Sequence, residues 1–146
     1  MIPRFISIGG QIRVLPPGEH EATIDEVEAR FALTDHRKHL FSGLKRGIDS
    51  FHSAGCKTLY LDGSFVTEKL IPKDYDACWD PNGVDPDRLD PILLDSAKFR
   101  LKQKEKYYGE YFPSTSRADS AHLFLSFFKT DRFTGRAKGI IVLRLK

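Results

Sequence analysis

Three short runs rich in apolar residues constrain the fold of this chain most strongly. They are KTLYL (57–61), YDACW (75–79) and IIVLRL (140–145). Their length and their content of β-branched and aromatic residues are typical of buried strands. Because a buried strand satisfies its backbone polar groups by pairing, we expect these segments to share a sheet with a shorter strand, EYF (110–112).

Apolar residues at helical spacing predict two helices before the first of these strands. The first helix covers 22–32, and the second begins at Thr34 or Asp35 and stops at Gly55. The second helix carries its apolar residues on one stripe, which consists of Leu40, Phe41, Leu44, Ile48 and Phe51.

A third helix is expected within 96–108, stopping at Gly109. The apolar stretch 121–128 fits either a helix or a strand, with the helix slightly favoured. Since helices and strands are mixed without regular alternation, the sequence predicts an α+β protein.

The length of 146 residues suits one compact domain, which we expect to comprise an N-terminal arm (1–18) and a single domain (19–146). Cys56 and Cys78 have neither the number nor the spacing of a disulfide framework or a zinc site, so we expect two buried thiols. No signal peptide and no apolar run of membrane-spanning length is visible, which predicts a cytoplasmic protein without a membrane partner. A net charge of only +3 argues against non-specific DNA binding.

The stretch LDGSFVTEKLIPKDYD (61–76) contains the residues with the clearest chemistry. Gly63 and Ser64 follow a strand, and after nine further residues Asp74 and Asp76 stand two positions apart. On a strand these two carboxylates share a face and repel, and Mg²⁺ bound with nucleotide phosphates would offset that repulsion. Gly63 lets the backbone approach a ligand closely, and a helix starting after it would present its N-terminus to a phosphate.

This pattern resembles the signature of the nucleotidyltransferase superfamily that includes DNA polymerase beta and the minimal nucleotidyltransferases. That signature is a hydrophobic residue, Gly, Gly or Ser, a short gap, and Asp–hydrophobic–Asp or Glu. The string DGSFVTEKLIPKDYD, together with LPPGEH and KGIIVLRL, also resembles a subfamily of small bacterial proteins, so the likeness spans about Leu15 to Leu145. Two positions depart from the pattern: Asp62 replaces the usual apolar residue before Gly63, and the bulky Tyr75 separates the two acids.

The resemblance implies a polymerase beta-like fold, a small mixed sheet flanked by helices, and Mg²⁺-dependent transfer of a nucleotide from a nucleoside triphosphate to a protein, tRNA or small-molecule acceptor. Asp74 and Asp76 would bind one or two Mg²⁺ ions, and Gly63 and Ser64 would contact the phosphates. Glu110 is the candidate for the third carboxylate by its position on a later strand. Minimal members often belong to toxin–antitoxin or phage-defence pairs, which implies a cognate protein partner.

Several alternatives stay open at this point. Lys69 and Lys73 lie between the two halves of the motif and can reach a triphosphate, although loop lysines are more often simply solvated. The same pattern fits a catalytically inactive module that binds a nucleotide or a protein, and a homodimer with a composite site. The inactive module predicts no acid on the neighbouring strand facing Asp74 and Asp76, whereas the enzyme predicts one within reach of a shared metal.

Overall fold

The computed structural model describes residues 1–145 and contains a five-stranded mixed sheet. The strands are β1 (Gly18–Glu21), β2 (Thr58–Asp62), β3 (Tyr75–Trp79), β4 (Gly109–Pro113) and β5 (Gly139–Arg144). Their order in the sheet is β1-β5-β2-β3-β4. Strand β2 is antiparallel to both of its neighbours, whereas β1 with β5 and β3 with β4 are parallel pairs. The predicted mixture of helices with a small mixed sheet is confirmed.

Four α-helices connect these strands within the described residues. They are α1 (Ile24–Phe31), α2 (Asp35–Ser53), α3 (Ala97–Tyr107) and α4 (Phe124–Phe127). Thr23 and Glu26 form a capping box at the start of α1, and the Thr34 hydroxyl accepts a hydrogen bond from the Arg37 backbone N–H at the start of α2. Gly55, with φ of +92°, follows the end of α2 as predicted.

Of two later helices, one stops where predicted and the other is shorter than predicted. Helix α3 ends at Tyr107, its C-cap Tyr108 adopts a left-handed conformation, and the helix has stopped before Gly109, which begins β4. Gly109 is needed there because a Cβ atom would lie 2.3 Å from the Tyr75 ring. Helix α4 covers only part of 121–128, because the chain just before it is held by the Arg117–Leu123 bridge and by hydrogen bonds from 121–122 to Asp119.

The main core lies between the sheet and helices α1 and α2. The sheet contributes its alternate, fully buried residues, namely Leu59, Leu61, Tyr75, Ala77, Tyr111, Ile141 and Leu143. Tyr75 belongs to this layer, and its hydroxyl lies 2.8 Å from the hydroxyl of Tyr111. Because neighbouring strand residues point to opposite faces, the bulky Tyr75 faces the core while Asp76 faces the other side.

The C-terminal segment that precedes β5 crosses the opposite face of the sheet. Phe112 on β4 packs against Phe124 and Phe128, with ring centroids 4.5 Å and 5.2 Å apart. A bridge between Thr130 and Ala137 then returns the chain to β5, consistent with the hairpin-like loop that the turn residues indicate. This segment forms one wall of a cleft over that face.

The N-terminal arm folds against the rest of the chain. Ile6 and Val14 form an antiparallel bridge, and Leu15 is buried in the core. Strand β1, which the sequence did not predict, pairs in parallel with β5. Cys56 and Cys78 are buried free thiols, as expected. Within residues 1–145, no helix combines the length and the apolar character that crossing a membrane requires.

Candidate active site

Three carboxylates stand side by side across β2, β3 and β4. Asp62 is directly opposite Asp76, and Asp76 is in turn directly beside Glu110. Residues in direct register share a face of the sheet, and in an antiparallel pair their Cβ atoms are about 4.5–5.5 Å apart. These three residues, called the carboxylate row below, therefore lie on the face that is turned away from α1 and α2.

Asp74 adds a fourth acid close to this row. It lies two residues before Asp76, immediately outside the start of β3, and both residues line the same cleft. Burial, together with the negative charge of Glu110, raises the pKa of the Asp74 carboxyl above its ordinary value. Asp74, at the entry to β3, and Asp76, on the strand, line the same cleft.

The centre of the row is the most strongly perturbed group. Burial, reinforced by the charges of Asp74, Asp62 and Glu110, raises the pKa of Asp76 to about 8. Burial also raises the pKa of Asp62 to about 6, although the positive charge of Lys138 opposes the rise. Crowded carboxylates of this kind favour a bound proton or a bound cation.

Each flank of the row has its own lysine, but the centre has none. Lys138 Nζ lies 3.2 Å from Asp62 Oδ1, and Lys104 Nζ lies 3.4 Å from Glu110 Oε1. Within the part of the chain that the structure describes, Asp74 and Asp76 form no ion pair. Two carboxyl groups are thus left without a directly paired cation, and a divalent ion would balance the charge that they carry once both are deprotonated.

Gly63 positions the turn that follows β2 against this row. Its φ is +83°, and a Cβ atom at this position would lie 2.8 Å from Asp76 Oδ2 and 3.0 Å from the Asp76 backbone nitrogen. Only glycine combines this conformation with so close an approach. Ser64 then begins a single 3₁₀ turn, Ser64–Val66, and the helix expected after the Gly-Ser pair is absent because the chain extends again at Thr67.

Arg37 holds this turn in place, and the sequence analysis missed it. Its buried guanidinium donates hydrogen bonds to the carbonyl oxygens of Phe31, Phe65 and Thr67 at 3.2, 2.7 and 3.0 Å, and also to the carbonyl of Lys69. Desolvation lowers the pKa of Arg37. An arginine in the first turn of a helix usually indicates a solvated face, and nothing in the sequence indicates these distant carbonyl partners.

A cleft of about 850 Å³ opens over the row. Its lining includes all but one of the predicted site residues, namely Gly63, Ser64, Lys69, Lys73, Asp74 and Asp76. Glu110 lies beside Asp76 in the sheet but does not line the cleft. Further lining residues that the sequence analysis did not assign to the site are Asp62, Lys138, His122, Phe127, Phe128, Arg132 and Phe133.

The carboxylates of the cleft meet part of what a Mg²⁺ ion requires. Among residues 1–145, no three carboxylate, imidazole or thiol groups are arranged to hold a metal ion by themselves. Mg²⁺, however, is commonly bound through one or two carboxylates, with water and substrate phosphates completing its octahedron. Asp74 and Asp76 are hard oxygen donors without paired cations, so they fit such an ion when a triphosphate is also present.

Comparison with known proteins gives one match. No curated protein and no solved structure matches the chain. A family model described as a family of unknown function, DUF6932, matches residues 9–144, a range that contains every cleft residue named above. The chain therefore belongs to the DUF6932 family.

Proposed function

We propose that this chain is a Mg²⁺-dependent nucleotidyltransferase with a polymerase beta-like fold. It would transfer a nucleotide from a nucleoside triphosphate to an acceptor on a protein, a tRNA or a small molecule. The observation that carries the proposal is the carboxylate row with Asp74, which leaves two carboxylates without paired cations beside the Gly63 turn. A cleft of about 850 Å³ is within the usual size range of ligand pockets.

Different residues of the cleft would contact different parts of such a substrate. Asp74 and Asp76 would hold the ion, while the Gly63 backbone and the Ser64 hydroxyl would contact the phosphates. Lys69 and Lys73 lie in the same loop and would neutralise the remaining phosphate charge. The opposite wall carries Phe127, Phe128 and Phe133, whose rings are suited to stacking on a nucleobase.

The reaction is a substitution at the α-phosphorus. An acceptor oxygen forms a bond to this phosphorus, the bond to the oxygen that bridges the α- and β-phosphates breaks, and pyrophosphate leaves. The proton of the acceptor passes to a carboxylate of the row. Bound Mg²⁺ supplies positive charge for the phosphate oxygens and favours in-line geometry.

A specific observation supports the enzyme over the inactive module. The enzyme hypothesis predicts an acid on the neighbouring strand within reach of a metal shared with Asp74 and Asp76, whereas the module predicts none. Glu110 on β4 is in direct register with Asp76, and its negative charge helps to raise the pKa of Asp74 and of Asp76, which supports this prediction. A cognate protein partner, which the resemblance implies, is part of the same proposal and would present or restrict the acceptor.

The proposal is tested by following the transfer of label from α-labelled nucleoside triphosphates to tRNA and to lysate proteins in the presence of Mg²⁺. We expect transfer by the wild type and none by the double variant Asp74→Asn/Asp76→Asn. The chain offers a matched control, since Asp85 and Asp87 have the same spacing but do not line the cleft. Asp85→Asn/Asp87→Asn should retain transfer.

Thermal unfolding with Mg²⁺ and nucleotide provides a second measurement that does not depend on the acceptor. Binding to the folded state raises the unfolding temperature of wild type but not of the Asp74→Asn/Asp76→Asn variant. If the wild type shows neither transfer nor stabilisation by any nucleotide, the proposed function is wrong and the protein-interaction module becomes the better hypothesis.

A further inference from the structure

We infer that His122 is the general acid of the proposed reaction, and that Asp119 is the positioning residue which orients its imidazole. The protonated ring would donate the proton on Nε2 to the oxygen that leaves with pyrophosphate. This inference rests on the proposed function and deepens it, because the carboxylates take up the proton of the acceptor but supply none to the leaving group.

A closed loop holds the two side chains. Residues 117–123 form this loop, and its first and last residues pair in an antiparallel bridge. Asp119 Oδ1 accepts hydrogen bonds from the backbone N–H groups of Ala121 and His122, both at 2.8 Å. The backbone of the loop therefore fixes the position of the carboxylate that the imidazole contacts.

The imidazole of His122 lies against this carboxylate through Nδ1. That nitrogen is 3.1 Å from Oδ1 and 3.3 Å from Oδ2 of Asp119. Hydrogen bonds, first among them the one from the Ala121 backbone N–H, lower the pKa of Asp119, and an ionised carboxylate can only accept. Nδ1 is therefore the donor in this contact. Nε2, at the other edge of the ring, has no hydrogen-bond partner among residues 1–145.

The pair lies where it can meet a bound triphosphate. Asp119 and His122 line the cleft on the wall formed by the segment that precedes β5, whereas Ser64, Lys69 and Lys73 line it from the loop between β2 and β3. The His122 side chain is 49% exposed, so Nε2 is open to a ligand in the cleft. A triphosphate held by the loop would lie between the two walls, within the space that Nε2 faces.

The charges around His122 favour a proton donor over a base. Opposite charges nearby stabilise the charged form of an ionisable group. With a triphosphate in the cleft, the ring would lie between the Asp119 carboxylate and the phosphates, so it would carry a proton. A protonated imidazole cannot accept the proton of the acceptor, but it can neutralise the charge that develops on the leaving oxygen.

The proposed step is balanced in atoms and electrons. The bond between the α-phosphorus and the oxygen that bridges the α- and β-phosphates breaks, and its electron pair stays on that oxygen. The oxygen takes the proton from Nε2 of His122, which leaves a neutral imidazole. The imidazole regains a proton from water before the next turnover.

Leaving groups of different basicity test the assignment. The α-labelled triphosphate that gives transfer is compared as two analogues, in which CF₂ or CH₂ replaces the β,γ-bridging oxygen. The CF₂ bisphosphonate is the weaker base and needs a proton least. His122→Asn should therefore lower transfer about a hundredfold with the CH₂ analogue but about tenfold or less with the CF₂ analogue. His52→Asn, which removes an exposed histidine outside the cleft, should match the wild type with both.

Nuclear magnetic resonance of ¹⁵N-labelled histidine gives a second measurement that needs no acceptor and no variant. Mg²⁺ and pyrophosphate should shift the Nε2 resonance of His122 and leave that of His52 unchanged. Asp119→Asn keeps an oxygen for the two backbone N–H groups but loses the charge. This variant should reduce the shift, and it should lose more transfer with the CH₂ analogue than with the CF₂ analogue.

The outcomes separate this inference from the proposed function. Equal losses in His122→Asn with the two analogues, or a His122 resonance that pyrophosphate does not shift, would overturn the general acid while wild-type transfer leaves the proposed function in place. A wild-type shift and wild-type transfer in Asp119→Asn would overturn the positioning role of Asp119. Absence of any transfer or nucleotide binding by the wild type would refute the proposed function and the inference with it.

Discussion

Replacing Asp76 with asparagine should stabilise the fold at alkaline pH. In the folded protein the pKa of this carboxyl is about 8, against an ordinary value of 3.8. The folded state therefore keeps a proton that the unfolded chain loses, so the free energy of unfolding falls as the pH rises from about 4 to about 8. Asparagine has nearly the same shape as aspartate but no charge, so the free energy of unfolding of the variant should not fall in this way as the pH rises.

The size of the effect follows from the same values. At about 1.36 kcal/mol for each pH unit between 3.8 and about 8, the upper limit is about 6 kcal/mol above pH 8. Asp62 and Asp74 adjust when the central charge is removed, so we expect a gain on the order of 2–4 kcal/mol. Near pH 4, where Asp76 is protonated in both states, the two proteins should be similarly stable.

Urea denaturation of wild type and Asp76→Asn at about pH 5, 7 and 9 measures the difference directly. The difference between the two free energies should grow with pH, and excess Mg²⁺ should reduce it by stabilising the wild type alone. Asp87→Asn, which removes an exposed aspartate outside the cleft, should follow the wild type. A difference that is independent of pH, or a variant less stable than wild type at about pH 9, would show that the charge of Asp76 is already compensated.

Three further variants test the scaffold and the cleft wall. Arg37→Met should lower the free energy of unfolding by about 3–5 kcal/mol in urea denaturation, because buried carbonyl oxygens lose their charged hydrogen-bond donor. A loss below about 1 kcal/mol would show that Arg37 does not hold the turn that follows β2. Gly63→Ala should reduce Mn²⁺ affinity and the free energy of unfolding more than Gly135→Ala does. Both glycines have positive φ, but a Cβ atom at Gly135 would meet no atom within 4 Å. Equal effects would mean that only backbone strain matters. Phe133→Ala should weaken nucleotide binding about tenfold in calorimetry. Phe99 is equally exposed at 85% but lies outside the cleft lining, so Phe99→Ala should leave nucleotide binding unchanged. Equal losses of affinity in the two variants would show that Phe133 does not contact the nucleotide.

Local sequence patterns were sufficient to predict the helices and strands whose residue patterns are strong. The strand over 75–79, the cap at Thr34 and the stop at Gly55 depend on residues within a few positions of each other. Strand β1, by contrast, has the sequence GEHE, which shows no apolar alternation, and it exists because β5 offers it a parallel partner. Pairing of that kind connects residues more than a hundred positions apart, and no local sequence pattern indicates it.

The candidate site likewise has some features that the local sequence predicts and others that depend on pairing between distant residues. The proximity of Gly63 to Asp76 is predictable from the motif, because a short loop joins two neighbouring strands. That Asp62 stands opposite Asp76 depends on the register of β2 with β3, and a shift of one residue would turn Asp62 towards the core. Lys138 reaches the site only through the placement of β5, which no short-range pattern specifies.

The position of β5 in the sheet also determines when the molecule can fold. Because β5 separates β1 from β2, β1 has no partner strand and β2 has only β3 until residues 139–144 have left the ribosome. A nascent chain can bring β2, β3 and β4 together earlier, but the edge of β2 then stays unpaired and open to association with other chains. Pairing of β5 would therefore be a late step that completes the sheet and brings Lys138 within ion-pairing distance of Asp62.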